Sequence, residues 1–581
     1  MTAAHPQLEP LAQGFRERYL RFDELTAQLK AWADAFPDVV HLESIGQSRE
    51  GRELWLLTLG PEPTRTRPAV WVDANIHAGE LAGSSVALAI AEEVIALHLD
   101  APDPARIPGP VHRAAREVLF HVLPRMSPDG AEAVLDTGRY VRSVPRDERF
   151  ERAHPRWVGE DVDGDGLALL MRQPDSTGEF VEHPEVPGLM LPRTIEDEGP
   201  FYKLYPEGRI EHFDGHHVPD PDFLSDNAPD LNRNFPWSWV GEPRQKGAGS
   251  HPGSEPESRA VIARAARTPN LFAWLSLHTF GGVMIRPPGD RPDDEMNPRD
   301  LALYRQVEEW AARFCDYPMV SGFEEFLYEP GHPVHGSLTE WAYDERGCLA
   351  WVTELWDLFQ QLELERPERF IDYYFRLTRE DLVRLAEWDA KENAGRIFRP
   401  WKRHRHPQIG EVEVGGIDPR VGLTNPPYEA LPELCDRHAR FFVRVAAMCP
   451  HVVVSRVAQT PLREELTLLE ATVENQGYLP THGVHASADR PWNEPLWADL
   501  ICEDGTSLEE PGQAHRLVGH LDGWGRGRFD FGHAIFFQRS KGSVSRRTLR
   551  WMVHGRGTVK LEVGSCRTGW IERRIGVGGG E

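Results

Sequence analysis

Residues 69–83 read AVWVDANIHAGELAG. The first part, 69–77, is an apolar, partly β-branched run of strand length, and Gly83 opens a run to Leu99 with the composition of a helix. Between them, HAGE (77–80) sets a histidine and an acid three positions apart. From a loop entering a helix, that spacing lets an imidazole nitrogen and a carboxylate reach one cation. Similar apolar runs recur at 39–45, 53–59, 118–124, 271–278 and 348–354, and Leu25, Leu29, Trp32 and Phe36 mark a helix that Pro37 ends. Near-continuous apolar strands alternating with helices predict an α/β domain whose central sheet is covered on both faces. His77, His278 and Glu354 each close one of these predicted strands. In open α/β sheets ligands gather at the carboxyl ends of strands, so the three are predicted to converge.

At 581 residues the chain is long enough for two or more domains. With 40% hydrophobic and 27% charged residues it has the composition of a folded soluble protein. A net charge of -26 repels phosphate backbones and anionic bilayers, so neither nucleic acid nor a membrane is an expected partner. The six cysteines form no CxxC pair, and the first residues carry no basic start followed by an apolar stretch, which points to the cytoplasm. The predicted catalytic domain spans 1–400, and Pro, Gly and acidic residues at about 145–230 read as a loop-rich insertion. A linker and helix are expected over 401–450, beginning with the basic stretch WKRHRH (401–406). Alternating runs such as LTLLEATV and TVKLEV predict an all-β, sandwich-like unit at 451–581.

The ordered motifs together resemble the zinc metallocarboxypeptidase family, the carboxypeptidase A and B group. HAGE, HTF at 278–280 and TELWD at 353–357 are joined by SPDG (127–130), RYVR (139–142), DLNRN (230–234), SEPE (254–257) and EWAYD (340–344). The resemblance implies a three-layer α/β/α fold with a mixed sheet and one zinc per chain held by His77, Glu80 and His278. It implies Glu354 as general base, Arg142 as the oxyanion-stabilising arginine, and Asn232 and Arg233 as anchors for a terminal carboxylate. Asp230 then stands behind the first zinc histidine and orients its ring. The implied activity is hydrolysis of the last peptide bond of a peptide with a free carboxyl terminus. Two alternatives use the same residues: a deacylase or amidase acting on a small N-acyl amino acid, and a zinc-retaining binding module without turnover.

One departure concerns the tyrosine that, in the family, closes over the substrate carboxylate. Alignment on Trp341 puts His332 or its neighbours there, with Tyr328 close by, and Thr339, near the family's specificity position, is neither charged nor large. Neither the tyrosine nor a side-chain preference is assigned. Separately, Asp161, Asp163 and Asp165 in DVDGDG match the opening of an EF-hand-type calcium loop, while Arg172 replaces the glutamate expected at its twelfth position. The sequence leaves calcium and a solvated acidic turn both open.

Overall fold

The computed structural model describes residues 5–99, 103, 105–147, 154–221, 229–329, 331–503, 505–525 and 540–578. Its centre is an eight-stranded mixed sheet. The strand order is Val40–Gln47, Glu53–Leu59, Leu119–Leu123, Ala69–Ala74, Leu271–Thr279, Leu349–Leu355, Val283–Arg286 and Met319–Ser321. The four middle strands, Leu119–Leu123 through Leu349–Leu355, run parallel. They are the segments predicted as continuous apolar runs, and every side chain from Leu271 to Thr279 is buried. Such strands are apolar on both faces because both faces are covered.

Residue alternation shows the two covers. Trp274 stacks on Trp71 at 4.8 Å and meets Trp341 of the helix Leu338–Asp344. Trp351 lies opposite Leu275 in the parallel register, on the other face, and packs against Phe441 and Phe442 of the helix Leu431–Ala446. The helix Ala82–Leu99 packs beside Leu431–Ala446. Its length and apolarity would suffice to cross a membrane, and here it is buried in the core.

The expected linker at 401–450 is corrected by the structure. Phe398–His406 and Gly410–Ile417 form a hairpin that extends the sheet built by insertion strands Leu170–Pro174, Phe201–Pro206, Phe180–Glu182 and Met190–Pro192. The basic run is an edge strand paired on one side, and its composition resembled a linker because only His406 among its side chains is buried. The helix after it belongs to the catalytic core.

From Val452 onward two four-stranded antiparallel sheets enclose a core that includes Leu469, Trp551 and Leu561. Trp551 is buried there and Trp570 is exposed. Basic residues on these strands pair with acids of the same unit, Arg546 with Glu474, Arg550 with Glu470 and Lys560 with Glu562. Arg539 lies outside the described residues.

The sandwich docks at the amino-terminal ends of the parallel strands. Arg567, fully buried, donates to Leu271 O at 3.0 Å and to Arg346 O and Gly347 O at 3.4 Å, and lies over the Phe272 ring. Burial brings its guanidinium down to about 10. Arg567→Ala removes the charged donor these carbonyls share and opens a cavity, an expected loss of roughly 2–4 kcal/mol. Calorimetry of the full chain should show its lowest unfolding transition displaced downward. An unchanged transition would mean that other contacts hold the sandwich.

Candidate metal centre

The HAGE loop takes its shape from its neighbours. The strand before it ends at Ala74, so His77 stands three residues beyond the strand rather than at its tip. Asn75 adopts φ 60°, a left-handed conformation that asparagine tolerates, and its Nδ2 donates to His77 O at 2.8 Å and Ala78 O at 3.1 Å. Ala78 N donates to Arg142 O at 2.8 Å, tying HAGE to RYVR. The glycine of SPDG permits this approach, since a Cβ at Gly130 would lie 2.0 Å from Ser143 O. Asn425 completes the brace: Oδ1 accepts from Ala82 N at 2.9 Å and Nδ2 donates to Gly79 O at 2.7 Å.

His278 and Glu354 face each other across the parallel register of their strands. Three donor atoms then meet. His77 Nδ1 is 2.7 Å from Glu80 Oε1, His278 Nδ1 is 3.1 Å from Glu80 Oε2, and the two Nδ1 atoms are 3.2 Å apart. All three residues are buried. The other ring nitrogens have partners of their own, His77 Nε2 with Asp230 Oδ1 and His278 Nε2 with Ser276 Oγ, each at 3.2 Å. With Nε2 donating, both Nδ1 lone pairs turn toward a carboxylate. Burial, the largest influence on His278, lowers its imidazole and favours the neutral form. Facing lone pairs of this kind fit a cation between them. Ligands about 2.0–2.1 Å from a tetrahedral zinc lie about 3.3 Å apart, close to the spacing seen here.

Asp230 supports this arrangement from behind. Its Oδ1 meets His77 and accepts from Asn232 N at 2.8 Å, while Oδ2 accepts from Arg142 Nε at 2.9 Å. Burial pushes its carboxyl up, but Arg142, His77 and Arg233 outweigh burial and hold it well below the usual range. Asn232 Oδ1 accepts from Leu338 N at 2.9 Å, and Arg233 donates to Asn232 O. Among the described residues Arg233 has no carboxylate partner. Burial raises the Glu354 carboxyl well above its ordinary value, nearby Glu80 adds to this, and Arg142 opposes it.

His77, Glu80, His278, Glu354, Arg142, Asn232 and Arg233 line one cleft of ≈ 400 Å³. Tyr328 lines it too, whereas His332 is exposed and pairs with Glu329. Asp161, Asp163 and Asp165 also come together, in the insertion, with carboxylate oxygens within 4.8 Å of one another. They accept amides of their own loop, and Lys402 Nζ sits 2.7 Å from Asp165 Oδ2.

A family model described as zinc carboxypeptidase matches residues 25–164 and 224–390, more than half of the chain. The chain belongs to the zinc carboxypeptidase family. The match skips 165–223, and a second model, of a domain of unknown function, covers 451–576. Carboxypeptidase M of Mus musculus is 30% identical over 130 residues, 22% of this chain and 28% of that protein. Carboxypeptidase B of Astacus astacus is 30% identical over 126 residues, 22% of this chain and 38% of that protein. The matched region thus spans well under half of these relatives. Among solved structures, carboxypeptidase A from Helicoverpa armigera aligns with a TM-score of 0.37 and 18% identity, covering 64% of this chain and 71% of that one.

Several residues that shape this site escape a motif reading. Ser276 connects His278 to Asp73, donating to Asp73 Oδ1 at 2.7 Å, and Trp274 Nε1 donates to Asp73 Oδ2 at 2.6 Å. Burial raises the Asp73 carboxyl to about 6, with Ser276 and Trp274 opposing. Strand alternation carries the signal, since Trp274, Ser276 and His278 fall two apart on one face. Asn425 has no comparable signal, being 348 positions beyond His77 in a stretch that reads as linker. Outer partners of this type tune metal affinity by about 10- to 100-fold. Asp230→Asn should weaken zinc retention by that factor in competition with a chromogenic chelator, and retention equal to the unmodified chain would count against Asp230 as the histidine's support.

Proposed function

We propose that the chain is a zinc-dependent metallocarboxypeptidase that hydrolyses the C-terminal peptide bond of peptides bearing a free carboxylate. The observation that carries this reading is one cleft lined by the donor set His77, Glu80 and His278, by Glu354 and by the carboxylate-free Arg233. A substrate carboxylate is taken by the planar fork of Arg233 with Asn232 beside it, a geometry for which arginine is better suited than lysine. That anchor places the last peptide bond near Glu354 and makes the reaction an exopeptidase one.

Zinc bound by the three donors would polarise the scissile carbonyl and lower the pKa of a water beside Glu354. Glu354 takes a proton from the attacking water on its carboxylate and passes it to the leaving amine nitrogen, serving first as base and then as acid. For this it must enter the reaction ionised. Burial and Glu80 raise its carboxyl and Arg142 opposes them, so a cation held by the three donors would favour the ionised form. Arg142 is held charged by Asp230 despite burial and presents its remaining N–H groups to the developing oxyanion.

The test is a peptide library offered to the zinc-loaded chain, with free and amidated carboxyl termini compared by mass spectrometry. Stepwise loss of terminal residues from the free acids alone is expected, with Glu354→Gln slowing turnover by roughly 10²–10⁴ and Arg142→Ala by roughly 10²–10³. Equal cleavage of amidated peptides would remove the carboxylate anchor from the mechanism.

The acidic loop carries a separate reading, as a calcium site formed by Asp161, Asp163 and Asp165 and supported by the convergence of their oxygens. Millimolar calcium is then expected to raise the unfolding temperature of the zinc-loaded chain, and Asp161→Asn to abolish the shift. No shift in the unmodified chain would leave the loop as a turn capped by its own amides.

A further inference from the structure

Besides Arg567, the sandwich grips the catalytic domain with a second group of contacts. Between the strands Leu466–Asn475 and Leu496–Cys502 its chain makes a short helical turn, His485–Ser487. This turn packs on the helix Leu338–Asp344 and on the long helix Pro298–Cys315. Asn493 ties it to the chain that enters Leu496–Cys502, with Nδ2 donating to His482 O and Ser487 O, each at 2.9 Å. Gly347, just past the shorter helix, adopts φ 67°, and a Cβ there would lie 2.4 Å from Ser487 Oγ, so glycine permits the close seat.

The contact centres on one fully buried acid, Asp300 of the helix Pro298–Cys315. Its Oδ1 accepts from His485 N at 2.7 Å and its Oδ2 from Ala486 N at 2.9 Å, both donors coming from the sandwich. Oδ2 also accepts from the Tyr343 hydroxyl at 2.9 Å. Burial raises the Asp300 carboxyl, while the two amides, the His485 ring and Tyr343 oppose this. A carboxylate so far from water is tolerated only with donors of this kind. The sandwich therefore completes the group that holds Tyr343.

Tyr343 stands in the last turn of the helix Leu338–Asp344, whose first residues shape the cleft. Leu338 N donates to Asn232 Oδ1 at 2.9 Å, and Ser337 and Thr339 line the cleft. Leu338 and Tyr343 are about 7.5 Å apart along the axis, and a helix of two turns shifts as one body. Arg291 fastens Asp344 from the catalytic side at 2.9 Å, so the tie through Asp300 is the part of this fastening that depends on the sandwich.

We propose that Asp300 is a positioning residue for substrate recognition. Supplied with two amide donors by the sandwich, it holds Tyr343 and through that helix sets Asn232 where the terminal carboxylate of the substrate is received. This rests on the carboxypeptidase reading above. The sandwich then acts on the substrate through Asp300 and the helix, and so belongs to the recognition machinery.

The test uses the zinc-loaded full chain. His485→Pro removes the amide hydrogen that Asp300 Oδ1 accepts, in a position at the start of a helical turn that suits proline. His485→Ala keeps that amide and is the control, and Tyr343→Phe breaks the same tie from the other side. Hydrogen exchange read by mass spectrometry reports opening of residues 337–344, and kinetics on free-acid peptides separates KM from kcat. Loss of one hydrogen bond to a charged group predicts exchange and KM each raised about 10-fold in His485→Pro and in Tyr343→Phe. The expected kcat stays within about 2-fold, His485→Ala matches the unmodified chain, and the double variant matches the single ones because both act on one tie. Unchanged exchange in the variants overturns the proposal. So does faster exchange with unchanged KM, which would make the tie structural alone. If His485→Pro does not fold, Tyr343→Phe decides on the same readouts. Normal cleavage without a KM response removes this proposal and leaves the carboxypeptidase reading. An unmodified chain that cleaves no free-acid peptide removes that reading and this one with it.

Discussion

The carboxylate of Asp230 is the junction on which the cleft depends. One oxygen meets His77 Nε2 and the amide of Asn232, and the other accepts from Arg142. A single buried charge therefore orients the ring of a metal donor, keeps a buried guanidinium charged and starts the turn that carries Asn232 and Arg233. None of these groups is near Asp230 in sequence except the last two. Charged groups this buried are tolerated only as a set, because each supplies the partner that offsets the desolvation of another. A substitution at Asp230 is therefore felt in several roles at once.

A second constraint is the parallel register of the two strands that follow one another in the sheet. Pairing His278 with Glu354 puts both on the face that carries Ser276 and Trp274, so the donor, its support and the proposed base share one surface. A slip of one residue would turn Glu354 to the opposite face, toward the helix Leu431–Ala446. The apolar packing on each face, Trp341 on one side and Phe441 and Phe442 on the other, therefore fixes the register as well as the stability.

Much of this was legible in the sequence because it is local. The strands around His77, His278 and Glu354 are continuous apolar runs, and the donor pair of HAGE is three residues apart. Long-range support was legible only where a motif marked it, as DLNRN marks Asp230. Asn425 and the hairpin Phe398–His406 with Gly410–Ile417 were not legible, for a common reason. Their role comes from packing across the fold: the strand Phe398–His406 has the polar composition of a linker, and Asn425, though fully buried, sits in a stretch that reads as one.

The two additions to the core occupy opposite ends of the sheet, and this bears on what each can do. The hairpin at 398–417 leads into Pro419, Arg420 and Thr424, which line the cleft, so the insertion sheet and its hairpin are connected to the cleft wall. The sandwich is anchored by Arg567 on Leu271 O, at the start of the very strand that ends near His278. Seven residues of extended chain separate those points, about 23 Å. The unit also touches the helix Leu338–Asp344 through the turn His485–Ser487, where His485 N and Ala486 N donate to Asp300, an acid that accepts from Tyr343 of that helix as well. Its contacts thus fall both on the start of a central strand and on a helix that borders the cleft, which ties the sandwich to the two elements that carry His278 and Thr339.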